Sequence, residues 1–163
     1  MKHILMLFAV AATLLSCTGP RLTAEQRAAK DRAIAQQVVD GVNQSRFLID
    51  VNYMQPLRGP MRQLSSTYSL EVRGDTLVSY LPYFGQAWNV PFGGGKGLNF
   101  TAPITAMQAE QTPKGDIRVA IETRNEEDLY LYYIDIFPNG SADITVHSRE
   151  RERISFTGQM RLH

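Results

Sequence analysis

From residue 46 almost to the C-terminus, apolar side chains recur at every second position, and this period is typical of β-strands. Ile117, Val119 and Ile121 alternate with Arg118 and Glu122. Successive side chains of a strand point to opposite faces, so the alternation predicts one buried and one solvated face. Comparable runs lie at residues 47–53, 68–72, 77–83, 129–137, 144–146 and 154–162. The pattern predicts seven or eight antiparallel strands in meander order.

Two segments between these runs have the composition of hairpin turns. Gly74 and Asp75 separate two of the apolar runs, and Pro138-Asn139-Gly140 separates two others. In the first predicted strand, one face is expected to be formed by alternate residues, which are Phe47, Ile49, Val51 and Tyr53. Both features favour strands that are adjacent in sequence and paired in space.

A helix is predicted before the first strand. Thr23 and Gln26 have the spacing of a capping box, in which each side chain bonds the backbone amide of the other residue. Apolar residues then recur at spacings of three and four, at Ile34, Ala35, Val38, Val39 and Val42. Gly41 is expected to mark the helix end. One face of the second half of this helix should therefore pack on the strands.

Together these elements predict an α+β fold that is mostly β. A sheet of this size with one buried face must curve, close or be covered to protect its edges. We expect an N-terminal helix followed by a curved sheet or partly open barrel. A two-layer β-sandwich is the alternative.

The N-terminus has the pattern of a bacterial lipoprotein signal. Lys2 precedes an apolar run that is too short to cross a bilayer core, which needs about 20 residues. Leu14-Leu15-Ser16-Cys17 resembles a lipobox, in which the cysteine thiol receives a diacylglyceryl group and becomes the mature N-terminus. The alternative is a plain secretory signal with a chance cysteine near its end. The predicted organisation is a signal peptide at 1–16, a lipidated tether at 17–22 and one helix-plus-antiparallel-β domain at 23–163.

Charge and cysteine content restrict the class of protein. Removal of residues 1–16 takes away one lysine and leaves equal numbers of basic and acidic residues. Nucleic-acid binding is therefore not expected. Cys17 is the only cysteine, so the fold contains no intramolecular disulfide and depends on its core for stability.

The segment from Ser79 to Phe100 departs from the alternating pattern and contains the only tryptophan, other aromatic residues and a cluster of glycines. Its run Ser79-Tyr80-Leu81-Pro82-Tyr83-Phe84-Gly85, together with Pro91 and the glycines, resembles domain of unknown function 4251, a family of predicted Bacteroidetes lipoproteins. Met54-Gln55-Pro56-Leu57-Arg58-Gly59 and Gly74-Asp75 extend the resemblance over nearly all of the mature chain. The resemblance implies an envelope lipoprotein and no activity, because the family has none assigned.

The aromatic segment has two interpretations. In the first, its rings fold back over an open end of the sheet, and the glycines allow tight backbone turns. In the second, the rings form a surface that binds a sugar, a peptide or a partner, with Gln86 and Asn89 offering hydrogen bonds. The candidate binding residues are Tyr83, Phe84, Gln86, Trp88, Asn89 and Phe92.

Motifs for catalysis and cofactor binding are incomplete. Gly93-Gly94-Gly95-Lys96-Gly97 lacks the serine or threonine that a Walker A motif requires after its lysine. The mature chain would keep only His147 and His163, and it has no Gly-x-Ser-x-Gly elbow. We therefore expect no catalytic residues, no metal site, no cofactor and no enzymatic activity.

Two charged features have structural interpretations. Asp135 interrupts an apolar strand and is interpreted as a hydrogen-bonded or edge-exposed aspartate, with a functional acid as the alternative. The alternating charges of residues 149–153 predict a solvated hairpin end.

These inferences favour a non-enzymatic envelope lipoprotein that serves as a protein-interaction or accessory module. The alternative is a small-ligand binder that holds a sugar, lipid or peptide at the aromatic segment or inside the sheet. Residues 18–21 contain none of the acidic residues that often follow the cysteine of surface-exported Bacteroidetes lipoproteins, so the expected location is the outer membrane, facing the periplasm. Expected partners are the bilayer, through acylated Cys17, and an envelope protein. The sequence makes no prediction of the oligomeric state.

Overall fold

The computed structural model describes residues 22–88 and 97–162. The chain divides into two units after Lys30. The elements are α1 (Ala24–Asn43), β1 (Arg46–Pro56), β2 (Arg62–Arg73), β3 (Thr76–Leu81), β4 (Leu98–Gln111), β5 (Ile117–Arg124), β6 (Leu129–Ile136), β7 (Ser141–Ser148) and β8 (Ile154–Met160). The predictions for Cys17, Asn89 and Phe92, and for the signal peptide, lie outside the described residues.

The strands form a closed antiparallel barrel in meander order. Each strand pairs with the next, and β8 pairs with β1 through contacts such as Ile49 opposite Met160. The structure confirms the predicted α+β class, with an N-terminal helix before an eight-stranded meander. The pairing of β1 with β8 closes the barrel, and the two-layer alternative is not adopted.

The meander gives the barrel two distinct ends. The end that we call the upper end carries the loops 57–61, 125–128 and 149–153 and the segment that follows β3. The lower end carries the junction of α1 with β1 and the three remaining hairpins. Gly74 and Gly140 occupy turns of the lower end with φ of 63° and 82°, as the predicted hairpins require.

Apolar side chains fill the barrel interior. The alternation in β5 is confirmed, since Ile117, Val119 and Ile121 are buried. Two tyrosines of β6 also point inward, and both are fully buried. The Tyr132 hydroxyl donates to Ser79 Oγ at 3.0 Å, and Ser79 Oγ donates to the Leu98 carbonyl at 2.7 Å. Burial raises the pKa of Tyr132, so its hydroxyl stays protonated inside the core.

The predicted single face of β1 is wrong at Tyr53. Phe47, Ile49 and Val51 are buried, but Tyr53 is exposed and Met54 is buried in its place. The register of β1 against both neighbours shifts between Val51 and Tyr53, which reverses the parity of the strand. An alternating pattern alone does not reveal such an irregularity.

The predicted start of α1 is confirmed, whereas its predicted end is wrong. Gln26 N donates to Thr23 Oγ1 at 3.2 Å, and Thr23 N donates to Gln26 Oε1 at 2.9 Å. The helix continues past Gly41 to Asn43, and Ser45 adopts the positive φ that follows it. Gly41 instead allows close packing, because a Cβ there would lie 2.6 Å from Met160 Cε. Val38 and Val42 of the same half of α1 join the core.

Strand β4 changes partners along its length. Its first part, Leu98 to Pro103, pairs with β3, and its second part, Ile104 to Gln111, pairs with β5. The six residues of β3 are too few to pair along all fourteen residues of β4.

The described residues contain no helix long and apolar enough to cross a membrane.

Gly158→Ala is expected to lower the free energy of unfolding by about 3 kcal/mol, the upper range for overpacking. Gly158 lies opposite Val51 in β1, and an added Cβ would overlap the Asp50 carbonyl oxygen and lie 3.0 Å from Ile49 Cγ2. Urea denaturation followed by circular dichroism measures the change. Gly41→Ala is the matched control and should cost much less, because its nearest contact is the flexible end of Met160. Equal costs for the two variants would contradict the tight β1–β8 approach.

Candidate functional site

From here on, the aromatic segment means residues 82–88, the described part of the predicted segment that follows β3. It crosses the upper end of the barrel and pairs with the loop 149–153. Trp88 N donates to the Glu150 carbonyl at 2.9 Å, and Glu152 N donates to the Gln86 carbonyl at 3.0 Å. Between them, Ala87 and Arg151 form an antiparallel β-bridge. The backbone of the aromatic segment is therefore held like a short strand.

The Tyr83 side chain adds further hydrogen bonds between the aromatic segment and the loop 149–153. Its hydroxyl donates to the Gln86 carbonyl at 2.7 Å and lies 3.2 Å from the Glu152 carbonyl. Burial raises the pKa of Tyr83, so the phenol remains a donor at neutral pH. The Arg151 guanidinium lies 5.3 Å from the centre of the Tyr83 ring. The ring thus packs between the aromatic segment and a cation.

The predicted solvated hairpin end at residues 149–153 is wrong for two of its residues. Arg151 and Glu152 are only 7% and 8% exposed. Arg151 Nη2 lies 2.9 Å from Glu127 Oε2, and Glu152 accepts a hydrogen bond from Gln86 N at 3.2 Å. The aromatic segment covers these two residues, so their charges are buried and paired, whereas Arg149 and Arg153 stay exposed.

Asp128 connects the loop 125–128 to the loop 149–153. Its carboxylate accepts hydrogen bonds from Leu129 N at 2.7 Å and from Glu150 N at 3.1 Å. Nearby, burial raises the pKa of Tyr130, whose hydroxyl lies beside Arg151. The loops 125–128 and 149–153 and the aromatic segment therefore form one hydrogen-bonded structure.

Above this structure, apolar side chains are exposed to solvent. Phe84 is 51% exposed and Trp88 is 65% exposed. Leu57 and Met61, in the loop between β1 and β2, are also exposed. The Arg62 guanidinium lies 4.7 Å from the centre of the Phe84 ring, and Arg58 Nε lies 3.4 Å from Glu152 Oε1, so this loop contacts the others. We call Leu57, Met61, Phe84 and Trp88 the upper apolar surface.

The structure brings together four of the six predicted binding residues. Tyr83 packs inward, as the first interpretation of the aromatic segment requires, whereas Phe84, Gln86 and Trp88 are exposed, as the second requires. Sequence reasoning missed Leu57 and Met61. The only local signal for them is two large apolar residues on either side of Gly59 and Pro60, where polar residues are usual.

Asp135 and His147, which the sequence offered as possible catalytic groups, contact other side chains of the barrel. Asp135 is exposed, and its carboxylate lies 3.3 Å from Arg118 Nε on β5. The His147 ring packs edge to face with Tyr133 at 5.6 Å, and burial lowers the pKa of His147. In the ranges that the structure describes, no three His, Cys, Asp or Glu side chains are placed to hold a metal ion.

A cleft of about 760 Å³ lies at the lower end and contains none of the predicted site residues. Three arginines line it. Glu71 binds Arg73 with both carboxylate oxygens, and Asp50 binds Arg161 in the same way. Arg46 lies directly opposite Arg73 in the pairing of β1 with β2.

Comparison with known proteins adds the following findings. The model of a family described as a domain of unknown function, DUF4251, matches residues 29–160. The fold is similar to the crystal structure of a DUF4251 family protein from Bacteroides eggerthii DSM 20697, with a TM-score of 0.63 and 14% sequence identity. That similarity covers 82% of this chain and 91% of the other. No curated protein matches the sequence.

Arg151→Met is expected to lower the free energy of unfolding by about 3 kcal/mol, because it removes the cation that lies 2.9 Å from Glu127 Oε2 in a mostly buried ion pair. It should also speed chymotryptic cleavage within the aromatic segment. Urea denaturation and limited proteolysis measure the two effects. Arg153→Met is the control, since Arg153 is an exposed residue of the same loop and should change stability by less than about 0.5 kcal/mol. Similar losses in both variants would contradict the role of the buried ion pair.

Proposed function

Because the chain belongs to the DUF4251 family, whose description assigns no activity, we propose a function from the geometry of the upper end. The protein is a non-enzymatic interaction module of the bacterial envelope, anchored by lipid at Cys17. It binds a protein partner through the upper apolar surface.

The exposure of Phe84 and Trp88 on a fixed backbone is the observation that supports this proposal. Exposed aromatic rings are characteristic of protein interfaces, where Trp and Tyr are frequent hot spots. The β-bridge between Ala87 and Arg151 already orders the segment, so binding would require little further loss of backbone entropy.

The charges around the surface indicate the chemistry of the partner. Arg58 is 73% exposed at its side chain, and Arg62 is exposed beside Phe84. The nearby acids Asp128 and Glu152 are buried and hydrogen-bonded within the upper end. Two arginines therefore flank the apolar surface on the side of the loop 57–61, which favours a partner with an apolar patch beside acidic residues.

The barrel interior favours an external docking site over a ligand held within the barrel. Tyr130, Tyr132 and Phe156 are fully buried and occupy the interior together with aliphatic side chains. A sugar or lipid inside would have to displace these residues.

We expect a photo-crosslinking amino acid at position 88 or 84 of the full chain, expressed in its own cells, to yield the same discrete adduct. The adduct should diminish when Leu57→Asp and Met61→Asp are added to the position-88 chain, because these changes place charge on the upper apolar surface. Immunoblotting and mass spectrometry of the adduct provide the measurement.

Position 133 is the matched control for this crosslink, because Tyr133 is an aromatic residue with 49% exposure on β6, away from the upper end. The proposal predicts no such adduct there. The same adduct at position 133, or none at positions 84 and 88, would refute partner binding at this surface.

Lipid anchoring has a separate test. Cells fed an alkyne analogue of palmitate should label the wild-type chain and should not label Cys17→Ser, because the thiol is the expected acceptor. Fluorescent detection after click chemistry measures the label. Unlabelled wild-type protein would contradict the anchor and leave the crosslinking result unaffected.

A further inference from the structure

The second part of β4 has one unpaired edge. Ile104 N donates to the Asp75 carbonyl at 2.7 Å, and this is the last backbone contact of β4 with the β2–β3 hairpin. From Thr105 to Gln111 the strand pairs with β5 on one side. Within residues 22–88 and 97–162, no strand or loop backbone bonds its other side.

The composition of this edge does not protect it from pairing. Edge strands usually carry several charges, a proline or an inward-pointing lysine that blocks a further strand. Residues 105–111, Thr-Ala-Met-Gln-Ala-Glu-Gln, contain one charged residue, Glu110, and no proline. All but Met107 are exposed, so the edge is accessible over its whole length.

We propose that this edge pairs with the same edge of a second copy of the chain. The two β4 strands run antiparallel about a two-fold axis at Gln108, the midpoint of the unpaired segment. In this register Ala106 lies opposite Glu110 of the other copy, and Met107 lies opposite Ala109.

The position of Glu110, the one charge of this edge, is compatible with a second copy of the chain as the partner strand. A two-fold axis at Gln108 keeps the two Glu110 side chains apart, and each faces a small neutral residue. Like charges directly opposite one another would destabilise the pairing. Residues 106, 108 and 110 lie opposite Glu122, Ala120 and Arg118 of β5, and they share the outer face of the sheet. The backbone of each copy provides the donors and acceptors that the other lacks.

A cysteine at the axis tests the proposal in cells that express the full chain. Directly opposite residues of antiparallel strands have Cα atoms about 4.5–5.5 Å apart, within the range for a disulfide. Gln108→Cys should therefore form a disulfide-linked dimer on mild oxidation. Asp143→Cys is the matched control, because Asp143 is exposed on β7, which pairs on both sides. The unsubstituted chain reports any product formed through Cys17.

A charge change at position 106 tests the register. Added to Gln108→Cys, Ala106→Glu should reduce the dimer about tenfold, because it places a carboxylate opposite Glu110 of the other copy at two symmetric positions. Ala106→Lys should retain the dimer. Thermal denaturation of both variants checks that the barrel folds, since position 106 also faces Glu122 of its own chain.

The outcomes separate the proposal from its alternatives. Pairing of two copies is supported if Gln108→Cys forms a dimer, if adding Ala106→Glu reduces the amount of that dimer, and if adding Ala106→Lys leaves it unchanged. The proposal is overturned if Gln108→Cys forms no dimer or if Asp143→Cys forms an equal amount of dimer. It is also overturned if Ala106→Glu and Ala106→Lys change the amount of dimer equally. A disulfide-linked product with the mass of a different protein also overturns it, because the edge would then bind another chain.

Discussion

The backbone pairing of β1 with β8 holds the first and last strands of the barrel together, and the upper end depends on it. The loop 149–153 leads directly into β8, and the loop 57–61 follows β1. Closure of the barrel places these loops side by side, so Arg58 can reach Glu152 and the aromatic segment can pair with residues 150–152. The close approach at Gly158 and the register shift after Val51 both lie along this seam.

The shortness of β3 explains two exposed parts of the sheet, the rings of the aromatic segment and the unpaired edge of β4. Strand β3 lies between β2 and β4, each of which is at least twice its length. At its upper end the chain leaves the sheet as the aromatic segment and crosses to the loop 149–153. At its lower end β4 continues without a neighbour on that side. A longer β3 would have continued the sheet at both places, so one difference in strand length accounts for both the exposed rings and the exposed edge.

Local patterns in the sequence predicted the features that depend on near neighbours. The capping box of Thr23, the turns at Gly74 and Gly140 and the alternation in β5 each follow from residues within a few positions of one another. The reversed parity at Tyr53 depends on the register of β1 against β2 and β8, so it has no local signal. The burial of Arg151 depends on a segment more than sixty positions earlier in the chain. For the same reason the sequence identified Phe84 and Trp88 and missed Leu57 and Met61, which only the closed barrel brings near them.

Closure of the barrel also affects how the protein forms. Contacts such as Ile49 with Met160 join residues more than a hundred positions apart, and proteins rich in such contacts fold slowly. The strand that closes the barrel against β1 is β8, the last of the eight to be synthesised, so β1 has a free edge until β8 is available. An emerging chain with an exposed strand edge is prone to aggregation, and a chaperone that shields β1 until β8 arrives would be of direct use to this fold.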